Sequence, residues 1–180
     1  MAQWSMRSWV DREKITAFMS EVGRSATGPG RVYLVGGSSV LLLGIRSQTI
    51  DIDLKLDPEP EGIFEAIAAL KESLSVNVEL ASPDLFLPPL PGWQERSEFI
   101  SHFGQVDFYH YDFLSQALAK ILRGHEKDIA DARQLLQMGK VDPTSLSSSF
   151  EQIKPALVRY PHINASDFEG RLTKFLRGFR

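Results

Sequence analysis

The chain has 180 residues, 43% hydrophobic and 24% charged, with a formal net charge of −3 and no cysteine. That length suffices for one domain with its own core, or a compact core plus a helical extension, and the lack of cysteine excludes disulfides and thiolate metal sites. The mildly acidic balance speaks against a dedicated nucleic-acid binder, whose lysines and arginines cluster on one face, but leaves room for a local basic patch.

No apolar run approaches the roughly 18 residues that span a bilayer. The opening MAQWSMRSWVDREK lacks the apolar stretch of a secretory signal, so a cytoplasmic protein without a membrane partner is expected. Residues from about Trp9 to Val22 predict an amphipathic helix, with Ile15, Phe18, Met19 and Val22 on one stripe. Thr27-Gly28-Pro29-Gly30 interrupts the chain, and Arg31 to Val35 reads as the first strand.

The next stretch, VGGSSVLLLGIRSQTIDIDL, holds the densest chemistry. It reads as a strand end, a Gly36-Gly37-Ser38 turn, a short apolar helix and a second strand with Asp51 and Asp53 around Ile52. Side chains alternate along a strand, so the two carboxylates share a face. They repel one another unless solvent or a cation intervenes, and a hard divalent ion such as Mg2+ or Mn2+ takes oxygen ligands of this kind together with phosphates. Gly36 and Gly37 let a ligand approach the backbone, Ser38 adds a hydroxyl, and N–H groups at the helix start favour a phosphate. Taken singly, such a turn is often only a tight turn, and a D-x-D is often a solvated strand end. The combination is more specific, because twelve residues separate the turn from the D-x-D, and Arg46 and Thr49 stand just before it.

Asp57-Pro58-Glu59-Pro60 marks a turn, followed by a helix from about Gly62 to Lys71 and a third strand, SVNVEL, over Ser75 to Leu80. Glu79 there is either a solvated outer residue or an acidic ligand. The segment SPDLFLPPLPGW (Ser82 to Trp93) is held out of helix by its prolines. It reads as a packed loop or a lid, with a polyproline ligand for an adaptor domain as the alternative. Phe99 to Phe103 and Val106 to Tyr109 predict a hairpin turning at Gly104-Gln105. Asp107 in its second arm needs a partner, a hydrogen bond or a cation if it is buried, and nothing special if it faces solvent.

Phe113 to Gln137 is helical, with Gly124-His125 as a break. It carries Lys120, Lys127, Asp128 and Asp131, which also suit an ordinary charged face with a Lys127–Asp131 pair. After Gly139, Val141-Asp142-Pro143-Thr144 starts another element, followed by SLSSSF, and two more helices are expected through Phe150 to Arg159 and Asp167 to Gly178. The last holds Arg171, Lys174, Arg177 and Arg180, a basic row that suits either a solvated face or a phosphate contact. The four histidines show no metal-ligand spacing.

The stretch from Gly36 to Asp53 resembles the nucleotidyltransferase superfamily, whose members share a glycine–serine turn followed by a D-x-D. In detail it resembles the AbiEii/MenT branch, which includes toxins of bacterial toxin–antitoxin systems. The matching residues are Gly36, Gly37, Arg46, Thr49, Asp51, Ile52 and Asp53, about twenty residues of chain, with ALAKILRGHEKDIADARQLL as looser support. The resemblance implies a bacterial enzyme that moves a nucleoside monophosphate from a nucleoside triphosphate to an acceptor, an RNA such as tRNA or a protein, and that a cognate antitoxin silences. It further implies Asp51 and Asp53 as metal ligands, Asp107 as a third catalytic and metal-binding carboxylate, and Gly36, Gly37, Ser38, Arg46 and Thr49 at the nucleotide. Lys120 would face a phosphate, with Asp128 and Asp131 as distal acids. Arg46 reaches either a phosphate or one of the two aspartates.

The expected fold is α/β (α+β), a small mixed sheet flanked by helices. Residues 1–112 would form the nucleotidyltransferase-like core and 113–180 a helical part, unless the whole chain is one domain. The alternative function, from a different class, is a catalytically inactive nucleotide- or protein-binding module of antitoxin type.

Overall fold

The computed structural model describes residues 8–179, so Arg180 and the opening MAQWSMR lie outside the described residues. In chain order the elements are α1 (Arg12–Ser25), β1 (Gly30–Val35), α2 (Gly36–Leu42), β2 (Asp51–Leu56), α3 (Ile63–Ser73), β3 (Asn77–Leu80), α4 (Trp93–Arg96), β4 (Glu98–Phe103), β5 (Val106–His110), α5 (Phe113–Arg123), α6 (Glu126–Gln137), α7 (Pro143–Ile153) and α8 (Ala165–Arg177). The chain divides into two compact units, one of residues up to Ala81 with Glu98–His110, the other of Ser82–Ser97 with everything from Tyr111 onward. Relative to a division at residue 112, the proline-rich segment therefore groups with the helices.

The first unit is a five-stranded mixed sheet in the order β3-β2-β1-β5-β4. β1 runs antiparallel to β2 and parallel to β5, β2 is parallel to β3, and β4 and β5 form the hairpin. One sheet face carries Val32, Leu34, Ile52, Leu54, Val78, Val106 and Phe108, covered by Ile15, Phe18, Met19 and Val22 of α1 and by Ile63, Ala66, Ile67 and Leu70 of α3. Each such buried aliphatic or aromatic side chain contributes about 1.5–3 kcal/mol. Alternation sends the partners of these residues to the opposite face. Register shows that face to hold Arg31, Tyr33 and Val35 from β1, Asp51, Asp53 and Lys55 from β2, Asn77 and Glu79 from β3, and Asp107 and Tyr109 from β5.

In the second unit α5 ends at Gly124, whose φ of +70° suits glycine, and α6 begins two residues later, as the Gly124-His125 pair implied. Asp142 caps α7, accepting from the Ser145 N–H at 2.9 Å, and Pro143 follows in the first turn. This helix therefore starts seven residues before Phe150, and the expected helix over Phe150 to Arg159 is its tail followed by a 3-10 stretch, Lys154–Arg159. Pro155 explains the change, because it has no N–H for an α-helical bond. The Ser82 to Trp93 segment is a loop with a 3-10 turn over Pro83–Leu85, packed only in part, since Leu85 and Phe86 are exposed. Leu87, Leu90 and Trp93 are buried, and Trp93 stacks on Tyr111 with ring centroids 4.8 Å apart. Arg96 makes a two-pronged ion pair with buried Asp112, at 3.0 and 2.8 Å, while Asp112 caps α5. That pairing holds the Arg96 guanidinium above its usual pKa.

Candidate active site

The site grows from the passage of β1 into α2. Gly36 takes φ +59°, a left-handed conformation that turns the chain directly from strand into helix. A Cβ on Gly36 would lie 3.2 Å from Asp53 Oδ2. A Cβ on Gly37 would lie 2.2 Å from Thr49 Oγ1 and 3.6 Å from an Arg46 guanidinium nitrogen. The glycine turn, Arg46, Thr49 and Asp53 are therefore one constellation, and the glycines are needed for its close fit. Thr49 is fixed from outside by Val10, the two exchanging N–H···O bonds of 2.8 Å.

Ser38 has a different place from the one the motif implied. It is fully buried, and its hydroxyl donates to the backbone carbonyls of Val35 at 2.9 Å and Asp53 at 3.2 Å. It ties the turn to β2 rather than offering a hydroxyl to a nucleotide. Ser39, the next residue, is also buried and lies 2.9 Å from His110 Nδ1, linking α2 to the end of β5.

Asp51 and Asp53 are half-buried and share the face opposite α1 and α3. Across the parallel β2–β3 pair, Asp51 stands opposite Asn77 and Asp53 opposite Glu79. Asn77 Nδ2 donates to Asp51 Oδ1 and to Glu79 Oε1, both at 2.8 Å. The third carboxylate beside the D-x-D is thus Glu79. Sequence reasoning left Glu79 between two readings and did not single out Asn77, although the alternation of SVNVEL already placed both on one face.

Asp107 does not join them. Register sets Asp107 level with Arg31 and Asp53 level with Val35, four residues further along β1. At ~3.3 Å per residue, the two lie about 13 Å apart along the strand direction alone. Asp107 instead pairs with His102 Nδ1 at 2.6 Å on the hairpin. Around it, Arg31 lies over the Tyr109 ring at 5.9 Å and hydrogen-bonds Tyr33. Burial pushes the Tyr33 phenol pKa up, against the opposing pull of Arg31.

In the second unit, Lys120, Asp128 and Asp131 are each at most 5% exposed. Lys120 Nζ is 2.8 Å from Asp131 and 3.8 Å from Asp128, and Arg123 is 2.6 Å from Asp128. Asp131 is therefore held by Lys120 of α5, across a helix pair, rather than by Lys127 on its own helix. The three residues singled out in ALAKILRGHEKDIADARQLL do come together, as a buried ionic network joined to Arg123.

Two hard carboxylates on one face, half-open to solvent and beside a glycine turn, fit a divalent cation that completes its shell with phosphate and water. Among the described residues no three histidine, aspartate or glutamate side chains are already gathered as a metal cage. Among the described residues, too, no helix is long and apolar enough to cross a membrane. No curated protein and no solved structure matches the chain significantly. A family described as a nucleotidyltransferase of unknown function, DUF6036, matches residues 13–179. With nearly the whole chain covered, the protein belongs to this nucleotidyltransferase family.

Proposed function

We propose that the protein is a metal-dependent nucleotidyltransferase that moves a nucleoside monophosphate from a nucleoside triphosphate to a hydroxyl of an RNA, such as tRNA, or of a protein. The observation that supports this best is the fit between the glycine turn and the carboxylates, with the position of a Gly36 Cβ 3.2 Å from Asp53 Oδ2. Phosphates lying against that turn would have Asp51 and Asp53 beside them.

Asp51 and Asp53 would hold Mg2+ or Mn2+, with Glu79 as the adjacent acid. The ion, when bound, supplies charge neutralisation on the phosphates. The chain's own part is positioning and electrostatics. The Gly36-Gly37 turn would lie along the phosphates, with Asp53 and Thr49 packed into the space that side chains at those two positions would need. Arg46, at the edge of the turn, would add positive charge there. Thr49 and Ser38 keep the turn and β2 in register with each other. In the transfer, the acceptor oxygen bonds to the α-phosphorus, the bond to the bridging oxygen breaks, and pyrophosphate carries away the electron pair. The acceptor proton passes to solvent or to a carboxylate of the site.

The resemblance of GGSSVLLLGIRSQTIDID to toxins of the AbiEii/MenT type supports a finer reading, a toxin neutralised by a cognate antitoxin. Incubation with α-labelled nucleoside triphosphates and bacterial RNA or protein tests the function. Label should enter one acceptor class with release of pyrophosphate, and Asp53→Ala should abolish both. A catalytically inactive binding module would release no pyrophosphate, and its partner binding would survive Asp53→Ala.

A further inference from the structure

Asp51, Asp53, Asn77 and Glu79 form a two-by-two array on adjacent strands, with three carboxylates and one amide at its corners. The amide is the odd member. Its nitrogen donates across the strands to Asp51 Oδ1 and along its own strand to Glu79 Oε1, at 2.8 Å each. An amide nitrogen carries two hydrogens, so one goes to each carboxylate and neither is left over. The orientation is also forced, because the amide oxygen would face two carboxylate oxygens if the group were reversed.

We propose that Asn77 is a positioning residue of the carboxylate site, holding Asp51 in place for a divalent cation while its second hydrogen anchors on Glu79; this rests on Asp51 and Asp53 being the cation-holding pair. The chemistry of the residue suits the task. A lysine at this corner would neutralise the carboxylates and compete with the cation, whereas an amide orders them and adds no charge. Glu79 sits exposed on β3, the outermost strand of the sheet, so without the amide its side chain would sample many rotamers. Asn77 engages Asp51 Oδ1, so Oδ2 is the oxygen of that carboxylate not committed to the amide. Groups that orient metal ligands in this way, without being ligands themselves, commonly affect metal affinity about 10–100-fold.

The test is calorimetric binding of Mn2+ with each of the four nucleoside triphosphates to wild type, Asn77→Ala and Asp51→Ala/Asp53→Ala, alongside thermal melts with and without Mn2+. Asn77→Ala is expected to weaken Mn2+-dependent binding at least about tenfold, with little change in the cation-free melt. Asn77→Asp, nearly the same shape but a fourth carboxylate, should melt lower than wild type in chelator and gain more from Mn2+ than wild type does. If wild type binds and Asn77→Ala binds equally tightly, Asn77 has no positioning role and the proposal is overturned while the carboxylate site stands. If wild type shows no Mn2+-dependent binding, or the double aspartate variant binds as well as wild type, the carboxylate site itself is refuted and the proposal with it.

Discussion

Replacing Gly37 by alanine tests the close fit on which the site depends. The new Cβ would stand 2.2 Å from Thr49 Oγ1 and 3.0 Å from Thr49 Cβ, against an ordinary contact limit near 3.4 Å. Rotation about χ1 of Thr49 can move Oγ1 aside, but the Cβ does not move with that rotation. Nor can the Thr49 backbone retreat easily, because its N–H and carbonyl both pair with Val10 at 2.8 Å. Overpacking of this kind costs about 1–3 kcal/mol, and about 2 kcal/mol is expected here since one of the two clashes has no rotameric escape. Urea denaturation would measure the loss. Gly37→Ala combined with Thr49→Gly removes both clashing atoms, so the pair should be more stable than the sum of the single changes by roughly 1 kcal/mol. Mg2+-dependent nucleotide binding should fall in Gly37→Ala, because the added methyl group crowds the turn. A wild-type denaturation midpoint for Gly37→Ala, or strict additivity in the double-mutant cycle, would refute the reasoning.

Lys120→Met should destabilise the protein by about 3–5 kcal/mol, because it leaves Asp131 charged and buried without its 2.8 Å partner. Adding Asp131→Leu should recover most of that loss in the same denaturation assay. Arg96→Leu removes the cationic partner of Asp112, which is 1% exposed and keeps only its helix-capping donors, and should cost about 2–3 kcal/mol given the half-open guanidinium. Arg96→Lys should cost less, since an ammonium keeps the charge but not the two-pronged geometry. The Asp142 carboxylate titrates below its ordinary value, chiefly because the Ser145 hydroxyl and N–H donate to it. Its contribution is therefore complete above the ordinary aspartate pKa and is lost as pH falls through the lowered folded value. Asp142→Ala should be less stable than wild type at neutral pH, and the gap in melting temperature should close on acidification below about pH 4. A gap that stays constant down to pH 2 would count against the cap.

The fold was readable wherever local chemistry decides it. Glycine breaks, the alternation in DIDL and NVEL, and the stripe of Ile15, Phe18, Met19 and Val22 are properties of neighbouring residues, and they placed the helices and strands of the first unit. The glycine turn and D-x-D were legible for the same reason. Register between distant strands was not. Asp107 stands in the same apolar–acid–apolar setting as Glu79, and only the parallel pairing of β1 with β5 moves it to the far end of the shared face. Glu79 gains its place from the parallel pairing of β2 with β3, joined through α3, which no local pattern specifies. Ser38 could be located from the motif, but whether its hydroxyl turns inward depends on how close β2 passes. Lys120 and Asp131 pair across two helices, and a spacing rule that looks along one helix finds Lys127 instead.

The most direct test of the central claim is calorimetric titration of the protein with Mg2+ and each of ATP, GTP, CTP and UTP, comparing wild type with Asp51→Ala/Asp53→Ala. Binding of one or two of these nucleotides that requires Mg2+ and disappears in the double variant is the expected result, and it would name the donor. Binding that is unchanged by chelation of the metal and by loss of both carboxylates would contradict the assignment of Asp51 and Asp53 as the heart of the site.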